Sequence, residues 1–495
     1  MWLAAAGLAI YVTSCIIHNL FWHPLASFPG PFVAAVTPLY KVYIDLVAKS
    51  SLLHTLEKLH SPKFQGDIVR ISPNEIHFRR PSVYLEIYNA LNKWDKEKSL
   101  YHSFGEDRSS FGFLTYNEAK ERKDVLSRLF SKKVVADVQG LVLEKVLNLC
   151  DSFENLGSKP ADLFYAYRCM SVEVITYLCF GNNLDAIRAP EYKAPIIKAM
   201  DSSLPAFVGF KHSSLLKEAV MNCPPKLSKF ISPATAGLVD LRQLLKAQIS
   251  DLTTNPECLQ NLPHSTTIYH ELLRPQAYRS GTVPSAASLY EEAQALLFGG
   301  ADTTGTTLMH GSFYVLNSPT VYEKLKAELR SKWLLLDEVP SLSEFEKFPY
   351  LTAVIKESLR MSPSVASPLP RVVPSSGAHI DKTFIPGGTV VGMSSHFVHR
   401  NETIFLSPDE FIPERWLNDK GRDLDKWLVA FSKGPRRCLG SNLAWAELYL
   451  CFAHVFRKFE IEVDPSSPKK LEWRDCFLPQ YRGSHLKVVV TKVVA

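Results

Sequence analysis

The sequence predicts a mainly α-helical protein with small β-sheets, an α+β arrangement, built as one body behind an N-terminal apolar helix. Three observations predict it. From about residue 115 to 250, apolar residues recur at three- and four-residue spacing, the period of a helix with one buried face. A second helical pattern runs from Ser288 to about Asn317, roughly 45 Å at 1.5 Å per residue, long enough to cross a whole domain. Residues 363–415, by contrast, are rich in Pro, Gly, Val and Thr and read as short strands and loops.

Composition narrows the class further. The chain has 495 residues, 46% hydrophobic and 21% charged, which excludes a disordered, collagen-like or polytopic membrane protein. With 56 Lys plus Arg against 50 Asp plus Glu, the net charge of +6 is too small for a dedicated nucleic-acid binder but compatible with an acidic protein partner. The nine Cys are odd in number and lack a Cys-x-x-Cys pair, which argues against a disulfide framework or a zinc knuckle.

Taken in chain order, Trp2 to Trp22 has no Lys, Arg, Asp or Glu and matches a hydrocarbon thickness of roughly 30 Å, with a Trp for each interface. Residues 1–22 are therefore expected to be a transmembrane anchor; a cleaved secretory signal is the alternative, although its positive leading region is missing. Residues 23–40 carry Pro24, Pro29, Pro31 and Pro38 and read as a Pro-rich hinge, or more simply a linker. Residues 41–495 are expected to form a single body. A β-hairpin is predicted over Phe64 to Phe78, turning at Ser72-Pro73-Asn74-Glu75, and a helix over Asp162 to Gly181. Residues 251–284, polar and punctuated by four prolines, read as a connecting segment.

Ser288 and Glu291 have the spacing of a capping box and are expected to open the long helix. Its middle reads Gly299-Gly300-Ala301-Asp302-Thr303-Thr304. Each Gly in a helix interior costs about 1 kcal/mol relative to Ala, so something is expected to approach that backbone closely. Further helices are predicted over Pro349 to Met361, carrying Glu357 and Arg360, and over Ser441 to about Lys458.

Cys438 stands apart from the other cysteines. It lies in Phe431-Ser-Lys-Gly434-Pro-Arg436-Arg437-Cys438-Leu-Gly440, between arginines and a helix start, where positive charge and free N–H groups favour a thiolate. By spacing alone, a reactive thiol and a buried structural Cys both remain open. Taken with the long helix, Glu357-x-x-Arg360, Pro413-Glu414-Arg415-Trp416 and the Pro-rich segment, all in order, the sequence resembles the cytochrome P-450 superfamily. His23-Pro24-Leu25, Phe28-Pro-Gly-Pro31, Ile71-Ser-Pro-Asn74 and Phe298 to Thr304 look like fungal secondary-metabolism members of the trichodiene-oxygenase-like group.

The resemblance implies the cytochrome P-450 fold and a haem-thiolate monooxygenase. Haem b (iron protoporphyrin IX) would be held through Cys438 as axial iron ligand, with Phe431, Gly434 and Gly440 shaping the loop. Arg436, Arg371, Lys123 and Arg122 would supply cations to the propionates; the family's aromatic or His in the early helix is Ala119 here, a departure that puts this contact in doubt. Asp302 and Thr303 would form the acid and alcohol pair that delivers protons to bound oxygen, with the Thr303 hydroxyl on the Gly299 carbonyl. Glu357, Arg360 and Arg415 would form a buried structural triad, whereas spacing alone would read the first two as a surface bridge. Ala295, Phe298, Val365 and Ala366 would face an apolar substrate, suited to a terpenoid or polyketide.

Other motifs fail. Thr306 stands where a phosphate-binding loop needs Lys, Arg274 where a zinc protease needs its second His, and His396 and His399 lack a third ligand. No dinucleotide fingerprint occurs, so the two electrons for RH + O2 + 2e⁻ + 2H⁺ → ROH + H2O are expected from NADPH through a separate cytochrome P-450 reductase, docked near Lys433, Arg436 and Arg437. The resemblance places the protein in the endoplasmic reticulum membrane, single-pass, with a cytosolic body and no nucleic-acid partner. Two alternatives are a haem-thiolate isomerase or dehydratase, against which Asp302-Thr303 counts, and an inactive haem-binding membrane protein.

Overall fold

Seven helices carry the site and its supports: α1 (Trp2–Ile17), α2 (Tyr116–Leu129), α3 (Leu163–Phe180), α4 (Pro195–His212), α5 (Ala286–Leu316), α6 (Pro349–Met361) and α7 (Ser441–Lys458). The computed structural model describes residues 2–61, 66–231, 233–255, 259, 267–417 and 423–493. The predicted hairpin start at Phe64, and Pro256 and Pro263 of the connecting segment, lie outside the described residues.

The centre of the body is the crossing of α5 with α3. Small residues permit it: a Cβ at Gly300 would lie 2.8 Å from Ile175 Cγ1, and one at Gly305 2.5 Å from Arg168 Cγ. α5 runs 31 residues to Leu316, close to its predicted end, but it opens differently. Ser285 caps it by accepting from the Ser288 N–H at 3.3 Å, while Ser288 Oγ donates to the Arg108 carbonyl and Glu291 takes the Arg108 guanidinium. The Ser-x-x-Glu spacing is spent on a tertiary clamp, which is why the predicted capping box does not form.

A five-stranded sheet runs in the order 68–72, 75–78, 390–392, 371–372 and 95–96. The first two strands are the predicted hairpin, with Ile68 opposite Phe78. At the far edge Lys96 pairs with Arg371, a juxtaposition of two cations made by strands 275 positions apart in sequence. The C-terminal region adds a three-stranded sheet and a hairpin, Glu472–Cys476 with Leu478–Arg482, whose turn residue Phe477 points back into the body.

At the N-terminus, Trp2–Trp22 is continuous helix of mean hydropathy 1.6 that is not buried against the body. The last turn of this helix and the segment after it are fastened down. The Arg70 N–H donates to the Pro29 carbonyl at 2.7 Å, Arg70 Nη1 to the Asn19 carbonyl at 2.9 Å, and Leu25 is fully buried in a second core with Ile71, Ile76 and Val391.

Candidate active site

A cavity of about 310 Å³ opens between α5, the Cys438 loop and the first turns of α7. The loop that presents Cys438 is shaped by two constraints. Gly434 adopts φ +71°, and a Cβ there would lie 2.6 Å from the Tyr88 carbonyl, so conformation and space both demand glycine. The Cys438 N–H donates to the Phe431 carbonyl at 2.9 Å, closing the loop, and Lys123 Nζ ties it to α2 through the carbonyls of Pro435 (2.8 Å) and Arg437 (3.3 Å). Cys438 thereby opens its side chain into the cavity, which Phe431 and Gly440 also line. Burial raises the thiol pKa, while the Gly440 N–H, Lys123 and Arg437 pull it down. Positive charge is present, as its sequence context predicts, but desolvation outweighs it.

Beside the loop, four cations crowd together. Arg436 Nη2 donates to the Leu114 carbonyl at 2.8 Å, yet its Nε and Nη1 are buried without a partner. Lys96 donates to the Phe111 carbonyl and Arg371 Nη1 to the Tyr101 hydroxyl at 2.7 Å. Among the described residues none of Lys96, Lys123, Arg371 and Arg436 forms a salt bridge. Burial and mutual repulsion lower Arg436 to about 10 and Lys123 to about 8, and push Lys96 well below the usual lysine value. Lys96 was not legible as a site residue, because only the sheet register brings it to Arg371.

Arg122 does not join this cluster. Its guanidinium turns to α5, donating to Glu292 Oε2 at 2.8 Å and Ser288 Oγ at 2.9 Å, and it does not line the cavity. A buried Glu292 needs a cation, and Arg122 is the one that meets it. Arg371 stands behind the wall, beside Lys96, rather than in it.

On α5, Thr303 faces the cavity and donates to the Gly299 carbonyl at 2.7 Å. A Cβ at Gly299 would meet nothing within 4 Å, so this glycine leaves open space, whereas Gly300 serves the contact with Ile175. Asp302 is not in the cavity wall. It is buried one position behind, where Arg168 of α3 donates to its Oδ1 and also to Asp201 of α4 at 2.6 Å. Asp302 Oδ2 has no partner. Burial raises its pKa to about 6, with Arg168 opposing the rise.

The cavity roof is aromatic. Phe104 packs against Phe111, Phe207 and Phe477 with ring centroids 5.6, 5.3 and 4.9 Å apart, and Phe207 meets Phe298 at 5.6 Å. Ala295, Phe298 and Val365 line the cavity. Ala366 does not: the chain turns at Ser364 and Val365, and Ala366 is buried in the second core with Phe78 and Val391. Phe104, Phe207 and Phe477 carry no motif and come from three separate parts of the chain.

The sequence profile described as Cytochrome P450 matches residues 48–486. The chain belongs to the cytochrome P450 family. It is 32% identical to the cytochrome P450 monooxygenase flvC of Aspergillus flavus, covering 98% of this chain and 95% of the relative. It is also 32% identical to macH of Penicillium terrestre over 98% and 96% of the two chains. The crystal structure of the cytochrome P450DA heme domain superposes with a TM-score of 0.74 at 16% identity, over 94% of this chain and 97% of that one. The protein is thus a P450-fold oxidoreductase, a haem-thiolate monooxygenase that uses O2, takes electrons from a redox partner and acts on an organic substrate.

In this P450 the residues present fit the haem. A cluster of cations without a salt-bridge partner among the described residues, with two orphaned guanidinium nitrogens, suits a planar group carrying two carboxylates, and the Cys438 thiol open to the same cavity suits its iron. The loop's support is equally defined. Arg360 donates to Glu357 through Nε (2.9 Å) and Nη2 (2.8 Å), Arg415 Nε donates at 3.0 Å and Trp416 Nε1 at 2.8 Å. Arg360 also reaches the carbonyls of His399 and Pro408, so the network fixes the segment that leads to the Cys438 loop. His399, which sequence spacing could pair with His396, instead accepts the Val429 N–H at 2.9 Å, while His396 meets Glu57.

Proposed function

We propose that this P450 is an endoplasmic-reticulum monooxygenase, tethered by residues 1–22 and angled by the hinge 23–40, that hydroxylates or epoxidises a largely apolar terpenoid or polyketide of fungal secondary metabolism. The observation that carries it is the single cavity lined at once by Cys438, by Thr303 and by a phenylalanine roof. The similarity to fungal monooxygenases supports the reaction class, and the aromatic roof supports a hydrocarbon-rich substrate.

Haem b would be held by the Cys438 thiolate, with Arg436, Lys123 and Lys96 toward its carboxylates and Arg371 adding positive charge from behind the wall. When bound, it supplies the activation of O2 by two electrons and two protons. The chain's own residues then do three things. The phenylalanine roof excludes water and holds the substrate. The hydroxyl of Thr303 donates its proton to the Gly299 carbonyl and turns its oxygen to the cavity, where it can accept a hydrogen bond. Behind it, the free Oδ2 of Asp302 takes up and releases protons at a pKa of about 6, and Arg168 links that carboxylate to Asp201, one third exposed at the surface of the body.

Electrons would come from NADPH through cytochrome P450 reductase, an acidic flavoprotein partner, on the face where Lys120 and Arg437 border a groove behind Cys438. The decisive experiment is microsomal expression with that reductase. Cys438→Ala is expected to abolish the thiolate-type spectrum of the reduced carbonyl complex, and its survival would sink the ligand assignment. Mass-spectrometric product identification over a terpene and polyketide panel tests the substrate class, and fractionation of a chain lacking residues 1–22 tests the anchor.

A further inference from the structure

Three acids that the reaction does not use line the cavity, Glu106, Glu292 and Glu447, and only Glu106 lies in the loop that carries the aromatic roof. Glu106 lies in the turn after Phe104 and is 3% exposed, yet lines the cavity with Phe104, Phe111 and Ala295. The turn around it is rigid. Ser110 donates to Glu292 through its N–H (2.7 Å) and Oγ (2.6 Å), Arg108 holds Glu291, and Gln294 Nε2 donates to the Phe104 carbonyl at 2.7 Å. A Cβ at Gly112 would fall 1.8 Å from the Glu106 carbonyl, so the loop closes tightly on the backbone of Glu106 itself. Arg108 and Ser110 are thus clamped to α5, while Asp107 takes the Lys217 ammonium at 2.9 Å and Ser109 accepts the Gly112 N–H at 2.8 Å. The Glu106 carboxyl has Ser109 Oγ at the limiting distance of 3.5 Å, the Gln294 amide nearby and no salt bridge.

We infer that Glu106 is a specificity-determining residue, a substrate anchor whose carboxyl hydrogen-bonds a hydroxyl or carbonyl oxygen on an otherwise hydrocarbon molecule. The charges around it favour this use. Burial and the like charges of Glu291 and Glu292 push its pKa well above the usual range, against Lys96, so it presents an O–H donor together with a C=O acceptor. Other polar groups at the cavity are already engaged. Glu292 accepts three hydrogen bonds, Thr303 is bonded to Gly299, and Thr307, Ser362 and Ser364 bond one another and the Thr303 carbonyl. Glu447 is the exception, with Oε2 left without a partner, but α7 carries it on the Cys438 side of the cavity rather than in the loop of the aromatic roof. A buried carboxyl held only by a 3.5 Å contact from Ser109 and by the Gln294 amide keeps bonding capacity to spare, which a ligand oxygen would fill.

This inference rests on the cavity being the haem and substrate chamber, which the reduced-carbonyl spectrum checks separately: loss of the thiolate-type spectrum in the unaltered holoenzyme sinks that reading, not this one. The test uses the full-length holoenzyme, its Glu106→Gln and Glu106→Leu variants, and two probes, the hydrocarbon valencene and the related ketone nootkatone, read by the spectral shift on binding. The unaltered enzyme is expected to bind nootkatone more tightly than valencene. Glu106→Leu is expected to weaken nootkatone about tenfold, the size of one buried hydrogen bond, and valencene less than about twofold. Glu106→Gln, isosteric and still a donor, is expected to keep most of the preference. Equal binding of both probes by the unaltered enzyme, or an unchanged preference in Glu106→Leu, would overturn the proposal. So would faster haem loss to apomyoglobin in both variants with probe affinities intact, which would reassign Glu106 to the cofactor's carboxylates.

Discussion

Arg168 and Asp302 form a buried ion pair between α3 and α5, and it leaves one carboxylate oxygen of Asp302 free. The pair puts the acid behind the cavity wall while Thr303, its neighbour in sequence, faces the cavity. In the proposed mechanism proton delivery would depend on this carboxyl, whose pKa burial raises to about 6 and which Arg168 controls from another helix. If the deprotonated form is needed to relay protons, product formation per electron consumed falls on the acidic side with a midpoint near 6. Removing the cation in Arg168→Gln raises the carboxyl pKa, so this limb is expected to move to higher pH by a unit or more, about 1.4 kcal/mol per unit. A pH profile of coupling in both enzymes checks it; an unmoved limb would dissociate Asp302 from the step.

The Glu357 network carries stability. Glu357→Ala leaves Arg360 and Arg415 buried and unpaired, so a loss of about 3 to 5 kcal/mol and little haem incorporation are expected. Arg360, Arg415 and the N–H that Ile412 donates hold this carboxyl below its ordinary value of 4.5 despite burial. Its contribution is accordingly full above pH 4.5 and lost as the pH falls through the lower, folded-state value. Urea midpoints and haem content measured from neutral to acid pH test both points.

Adjacent glycines should separate cleanly. Gly300→Ala forces a Cβ to 2.8 Å from Ile175 and is expected to destabilise the α3–α5 crossing by about 1 to 3 kcal/mol. Gly299→Ala meets open space, so thermal stability should hold or rise slightly while turnover falls as the methyl intrudes on the cavity. Calorimetry with product assays on the two variants decides.

Phe298 and Ala366 make a second contrast. Phe298→Ala removes part of the roof and is expected to change product distribution with the haem spectrum preserved. Ala366→Val overfills the second core and should cost about 1 to 3 kcal/mol with the product pattern unchanged. A shifted pattern in Ala366→Val would contradict its placement.

The cofactor cluster predicts that Arg436→Leu and Lys96→Leu each speed haem transfer to apomyoglobin by about tenfold, the weight of one charge-assisted hydrogen bond. Arg122→Leu should leave that rate alone and instead lower stability by about 3 to 5 kcal/mol, because Glu292 loses its buried cation.

Much of this was legible in the primary structure. A motif around Cys438 is local, its loop closing within ten residues, and the Glu357–Arg360 pair is one helical turn, so spacing alone determines which side chains meet. The Thr303 bond to Gly299 is local in the same sense. Where spacing was ambiguous, as at Ser288 and Glu291, a distant partner took the side chains and local reasoning failed.

By itself the amino-acid sequence determined the class of the protein, its long central helix, its thiolate loop and the apolar run at its start, because each is written in contiguous residues governed by helical period, turn chemistry or hydropathy. Only the tertiary structure decided which cations gather at the cofactor site, that Arg122 belongs to Glu292, that Ala366 turns away, and that five roof phenylalanines and Glu106 line one cavity. Those outcomes depend on strand register and helix crossing, which sum weak contacts over the whole chain and leave no mark at any single position.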